Sequence, residues 1–174
     1  MHGKRKMNQE NHDNGRWLHR ELKDKILTVH RRTTANKKET TMKLTGHCYC
    51  GELKYEAEGE VLAKGNCHCR ECQYMTGGHP LAFLVMPEAG FKYVEGAPAI
   101  FRRSDLENPR TREFCANCGT HILSKSRPGA VVLKVGTLDD PSVFDKPDMS
   151  IFLIDKQPFH HIDETAPTYE RMKT

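Results

Sequence analysis

Polar and apolar residues alternate over positions 52–58, where Leu53, Tyr55 and Ala57 are interleaved with Glu52, Lys54, Glu56 and Glu58. A period of two puts the apolar set on one side of an extended chain, so a strand with one buried face is predicted there. Short apolar runs follow at 81–86, 91–94 and 131–135, separated by Pro87, Gly90, Gly96, Pro98, Pro128 and Gly129. Runs of that length between turn residues read as strands, which predicts a mostly β domain. Residues 70–75 are expected to form a single helical turn. The late aromatics, Phe152 and Phe159 among them, are expected in the core, because an aromatic side chain in a strand is commonly packed. No apolar run approaches the roughly 18 residues of a membrane span.

Charge divides the chain at Met42. Residues 1–41 hold eleven Lys and Arg against five Asp and Glu, whereas the remainder holds sixteen against eighteen, so the net charge of +4 comes from the first segment. That segment has no cysteine, and its apolar residues Trp17, Leu18, Leu22, Ile26, Leu27 and Val29 make an amphipathic helix too short to be stable alone. A basic arm can bind nucleic acid or an anionic surface. The simpler expectation is a solvated, disordered N-terminal extension, or upstream sequence added by placing the start at Met1 when Met42 is the natural one. Residues 42–174 are then a single domain, large enough to bury about two thirds of its unfolded surface. Its near-neutral charge argues against nucleic acid as the main partner.

The chemistry is carried by seven cysteines in three clusters: Cys48 and Cys50, then Cys67, Cys69 and Cys72, then Cys115 and Cys118. Neighbours one or two residues apart do not easily reach disulfide geometry, and seven is odd, so metal binding is the better reading. No signal peptide is evident, which fits a reduced, cytoplasmic protein. Two clusters end in Cys-Gly, Cys50-Gly51 and Cys118-Gly119. A glycine there lets the backbone turn with positive φ and aim N–H groups at sulfur. The two knuckles together supply Cys48, Cys50, Cys115 and Cys118, the closed tetrahedral set of a structural zinc.

Cys67, Cys69 and Cys72 are left with three thiolates and no fourth cysteine. Three protein ligands with one position open is the pattern of a catalytic zinc. The alternative is closure by a histidine, with His47, His68, His79 and His121 as candidates. His68 lies between two ligands, so its ring is expected to point away from the metal. An iron–sulfur cluster fits less well, since the spacing departs from the usual ones and a fourth ligand would be needed.

Gly46-His47-Cys48-Tyr49-Cys50-Gly51, Cys67-His68-Cys69-Arg70-Glu71-Cys72 with Thr76-Gly77, and Phe114-Cys115-Ala116-Asn117-Cys118-Gly119-Thr120 together resemble the glutathione-dependent formaldehyde-activating enzyme family, which includes centromere protein V-like domains. Gly136-Thr137-Leu138-Asp139-Asp140-Pro141 and the stretch 158–169 extend the resemblance to about residues 43–170. It implies a compact, mostly β fold of the tent-like Mss4 type with two zinc ions per chain, one structural on Cys48, Cys50, Cys115 and Cys118, the other catalytic on Cys67, Cys69 and Cys72. The implied activity is condensation of formaldehyde with glutathione to S-hydroxymethylglutathione, a carbon–sulfur lyase reaction in reverse. Gln73 and Tyr74 stand where members of the family often carry basic residues, a departure at the place where an anionic thiol would be held.

Two function classes follow. In the first the protein is a zinc enzyme acting on a small thiol such as glutathione or on its aldehyde adduct, with His68 or His79 as candidates for proton transfer. In the second both metals are structural and the domain is an interaction module. The coordination of the second metal separates them. Oligomeric state is not legible in the sequence. Because residues 1–41 hold no ligand and little core-like pattern, a chain starting at Met42 is expected to match the full chain in thermal melting and zinc content. A large fall in melting temperature would show that the Trp17 to Val29 segment docks on the domain.

Overall fold

The computed structural model describes residues 41–172. The basic segment and its amphipathic stretch lie outside the described residues. Tyr55 and Ala57 of the alternating set fall in a strand, β2 (Lys54–Gly59), which Leu53 directly precedes, and all three side chains are buried. It pairs antiparallel with β1 (Met42–His47) on one side and β5 (Phe91–Glu95) on the other. Gly46 lies opposite Tyr55, and a Cβ on it would run into the Tyr55 ring and the carbonyl of Thr137. The missing side chain lets the Tyr55 hydroxyl reach Thr137 Oγ1 at 2.8 Å.

The second sheet has eight strands among the described residues: β3 (Ala63–Cys67), β4 (Leu81–Pro87), β6 (Ala99–Phe101), β7 (Thr111–Phe114), β8 (His121–Arg127), β9 (Ala130–Lys134), β10 (Ser150–Ile151) and β11 (Thr168–Tyr169). Their order across the sheet is β11-β10-β3-β4-β9-β8-β7-β6. Both faces of its centre are covered. Leu84 and Met86 of β4, Leu123 of β8, and Val131 and Leu133 of β9 pack with Leu44, Leu53, Tyr55 and Ala57 into the main core. Their sequence neighbours Phe83, Val85 and Ala130 turn the other way and join Cys67 and Ile151 in a second cluster. A period of two therefore serves two interiors with one set of strands.

The expected turn after Cys69 is a helix, α1 (Arg70–Thr76), longer than the single turn predicted. Gly77 ends it in the left-handed conformation, φ 74°, and its amide closes on the carbonyl of Gln73. Gln73 is buried and donates through Nε2 to the carbonyls of His68, 2.6 Å, and Asp155, 2.9 Å, which ties α1 to the 3-10 turn Leu153–Asp155.

One core assignment is overturned. Phe159 is 56% exposed, while Phe152 is half-buried against the second cluster. Phe159 lies in an irregular turn rather than a strand, so no sheet neighbours cover it, and its ring instead meets His79 and His160 edge-on at 5.9 and 5.0 Å. Leu133→Ala, which empties the main core, is expected to cost about 3 kcal/mol in urea unfolding. Phe159→Ser should change stability by less than about 0.5 kcal/mol. Equal losses in the two variants would contradict this division.

Candidate metal centre

The first knuckle follows β1 and the second follows β7. In each, the amide of the glycine returns to the carbonyl of the first cysteine, Gly51 to Cys48 and Gly119 to Cys115, both at 2.9 Å. The two glycines take φ values of 79° and 75°, the left-handed turn expected from the Cys-Gly pairs. This brings the Sγ atoms of Cys48, Cys50, Cys115 and Cys118 within 4.8 Å of one another. Two of the separations are 3.5 Å, Cys48 to Cys50, and 3.7 Å, Cys50 to Cys115. A tetrahedron of thiolates at about 2.3 Å from zinc has edges of roughly 3.8 Å. The pocket of sulfur therefore has the size of a zinc site.

Donors surround this cluster. The Leu53 amide reaches Cys48 Sγ at 3.2 Å, and Asn117 Nδ2 reaches Cys50 Sγ at 3.5 Å. Thr120 bridges the knuckles, accepting from the Tyr49 amide at 3.1 Å and lying 3.2 Å from Cys118 Sγ. The Thr120 hydroxyl and amide pull the Cys118 thiol down to about 5. Such donors stabilise a thiolate, the form a metal requires.

The second cluster is local. Cys67 ends β3, Cys69 caps the N-terminus of α1, and Cys72 lies in its first turn with its amide 3.0 Å from the Cys69 carbonyl. Their Sγ atoms are again within 4.8 Å of one another. Hydrogen bonds from Cys67 and Cys72 drive the Cys69 thiol far down, while the same contacts and burial drive Cys67 up.

Among the described residues, no histidine or carboxylate joins these three sulfurs. The four candidate histidines all lie elsewhere. His47 is exposed, with Nδ1 2.7 Å from the Cys48 carbonyl and Nε2 3.6 Å from Asp139. His68 is fully buried but faces His160, Nδ1 to Nδ1 at 3.1 Å, and burial pushes its ring down to about 4. His79 stacks on His160 with 6.5 Å between ring centroids. His121 lies against the Phe114 ring on the β7–β8 pair.

The three thiols open onto a cavity of about 240 Å³ on the second face of the eight-stranded sheet. Ala63, Phe83, Val85, Val132 and Ile151 give it apolar walls. Lys134, Ser124, Arg110, Arg112 and Arg127 also line it, with Glu71 as the acid. Glu71 pairs with Arg112 at 2.5 Å. Neither His68 nor His79 is on this wall, so the two proton-transfer candidates read from the sequence are not brought to the cavity. The cationic residues escaped the sequence reading because they lie 38 or more positions beyond the nearest of the three cysteines. Their one signal was a lysine inside the apolar run at 131–135.

The family model described as glutathione-dependent formaldehyde-activating enzyme matches residues 43–155. A crystal structure of a Rhodobacter sphaeroides protein, a structural-genomics target, is similar at 19% identity with a TM-score of 0.48, over 59% of this chain and 96% of the other. No curated protein sequence matches the chain. Both cysteine clusters can hold a metal ion, and their all-sulfur donor sets suit zinc. Elemental analysis of anaerobically purified protein is expected to return two zinc ions per chain. One equivalent, or iron with visible absorption, would contradict the two-site assignment.

Proposed function

The chain belongs to the glutathione-dependent formaldehyde-activating enzyme family, and on that footing we propose that it is a zinc-dependent enzyme of the carbon–sulfur lyase type, acting on a small thiol and its aldehyde adduct. Cys67, Cys69 and Cys72 are assigned as ligands of the reacting metal, and Cys48, Cys50, Cys115 and Cys118 as ligands of a structural one. The observation that carries the reading is three sulfurs gathered without a fourth protein ligand and facing a cavity. Zinc bound there would supply Lewis acidity and ease ionisation of a coordinated thiol. The protein's own part is to present and enclose. Cys69 and Cys72 are oriented by α1, which Gln73 fixes to the Asp155 turn, and Cys67 is fixed by pairing of β3 with β4 and β10. The apolar walls exclude water from the reacting ends, which strengthens the electrostatic interactions of the site and protects an adduct from side reactions.

The two sulfur clusters should respond differently to the loss of a ligand. Cys118→Ser breaks a set that joins residues near 50 to residues near 115. Loss of a structural zinc removes folding free energy on the order of 10 kcal/mol, comparable to a typical domain's whole stability. That variant is expected to be unfolded or insoluble. Cys69→Ser disturbs a loop that closes within six residues, so it should stay folded with one zinc. It is expected to lose acceleration of adduct formation between formaldehyde and glutathione, followed by NMR exchange. Unfolding of both variants alike, or an unchanged rate in Cys69→Ser, would replace the enzyme by a module with two structural metals.

A further inference from the structure

We propose that Lys134 and Arg110 form an anion-receiving pole in the three-cysteine cavity, so that the thiol acted on there is a compact acid with sulfur at one end and a carboxylate at the other. This rests on the zinc–thiol reading above and names the substrate class of the same site.

Lys134 is 5% exposed, and its ammonium donates to Ser124 Oγ at 2.9 Å. Among the described residues it has no carboxylate in salt-bridge reach. An ammonium has three donors, and a buried charge without a carboxylate partner is costly, so an anion entering the cavity would offset it. The thiolates do not offset it fully. Three thiolates around a dication leave one negative charge. The wall carries four cationic side chains against the single carboxylate of Glu71, which is committed to Arg112. Two positive charges remain. Arg110 is exposed, lines the same cavity and makes no ion pair among the described residues.

The sheet register sets the scale of the ligand. Lys134 is paired with Phe83 of β4, while Cys67, on the other side of β4, is paired with Leu81. Two residues along a strand and two strands across place the Cα atoms of Cys67 and Lys134 roughly 12 Å apart. With both side chains turned into the cavity, a ligand of a few carbons spans the gap, and the apolar residues between the two poles suit a methylene chain.

The test compares three probes by calorimetry on the zinc-loaded full chain: mercaptopropionate, its neutral amide mercaptopropionamide, and propionate. The acid thiol is expected to bind at least about tenfold more tightly than the amide, the worth of a charge-assisted hydrogen bond in a secluded site. Lys134→Met should abolish that preference with zinc content unchanged, and Lys134→Arg should restore it. Should Lys134→Met not fold, Arg110→Met, at an exposed position, should still reduce the preference severalfold. Equal binding of acid and amide by the parent, or an unaltered preference in Lys134→Met, overturns the anion pole and leaves the thiol reading standing. Loss of zinc from a folded Lys134→Met also overturns it, by assigning the lysine to the metal's charge balance. If mercaptopropionate binds no more tightly than propionate, it is the thiol reading that fails while the anion pole survives.

Discussion

A sheet buried on both faces has to divide its side chains by parity, and the rest of this molecule follows from how the eight-stranded sheet does so. On β9, Val131 and Leu133 go to the main core while Ala130, Val132 and Lys134 go to the cavity. On β4, Leu84 and Met86 go to the core while Leu81, Phe83 and Val85 go to the cavity. A one-residue slip in the pairing of these strands would move Lys134 into the hydrocarbon core and Leu133 into the cavity. The register that protects the fold is thus the one that assembles the site. Gly65 on β3 lies in the same register row as Phe83 and Lys134, and a side chain there would press on the Met149 carbonyl, which is why that row can close against the end of the chain.

The two sulfur clusters are placed differently by these sheets. Cys48 and Cys50 leave the three-stranded sheet and Cys115 and Cys118 leave the eight-stranded one, so this cluster joins the two layers around the main core. It is long-range in sequence and set in turns held by a few hydrogen bonds, which a bound metal would tie together. Cys67, Cys69 and Cys72 come from one strand end and one helix start, and the fold around them is kept by strand pairing and by Gln73.

His68 shows how an apparent ligand is diverted. It lies between two of the three clustered cysteines, but the alternation that points Cys67 and Cys69 into the cavity points the intervening residue out of it, where it packs on His160. His160 in turn shares its Nε2 with the carbonyl of Gly78 at 2.8 Å, which links the loop after α1 to the late segment of the chain.

Strand character at 53–57, the turns at Gly51 and Gly119, the separation of seven cysteines into four and three, and the family were all legible in the sequence, because each is a local pattern of period, spacing or glycine conformation. The amino-acid sequence alone therefore determined a mostly β domain with two sulfur centres. It misjudged Phe159, since packing of an aromatic depends on whether neighbouring strands cover it, and none does. It left open whether a histidine closes the second centre, since that depends on where rings distant in sequence come to lie. Only the tertiary structure turned those rings elsewhere and placed Lys134, Arg110 and Ser124 around one cavity with Cys67. Those groups come from strands whose adjacency is a property of sheet order, and sheet order is set by long-range pairing that no local pattern encodes.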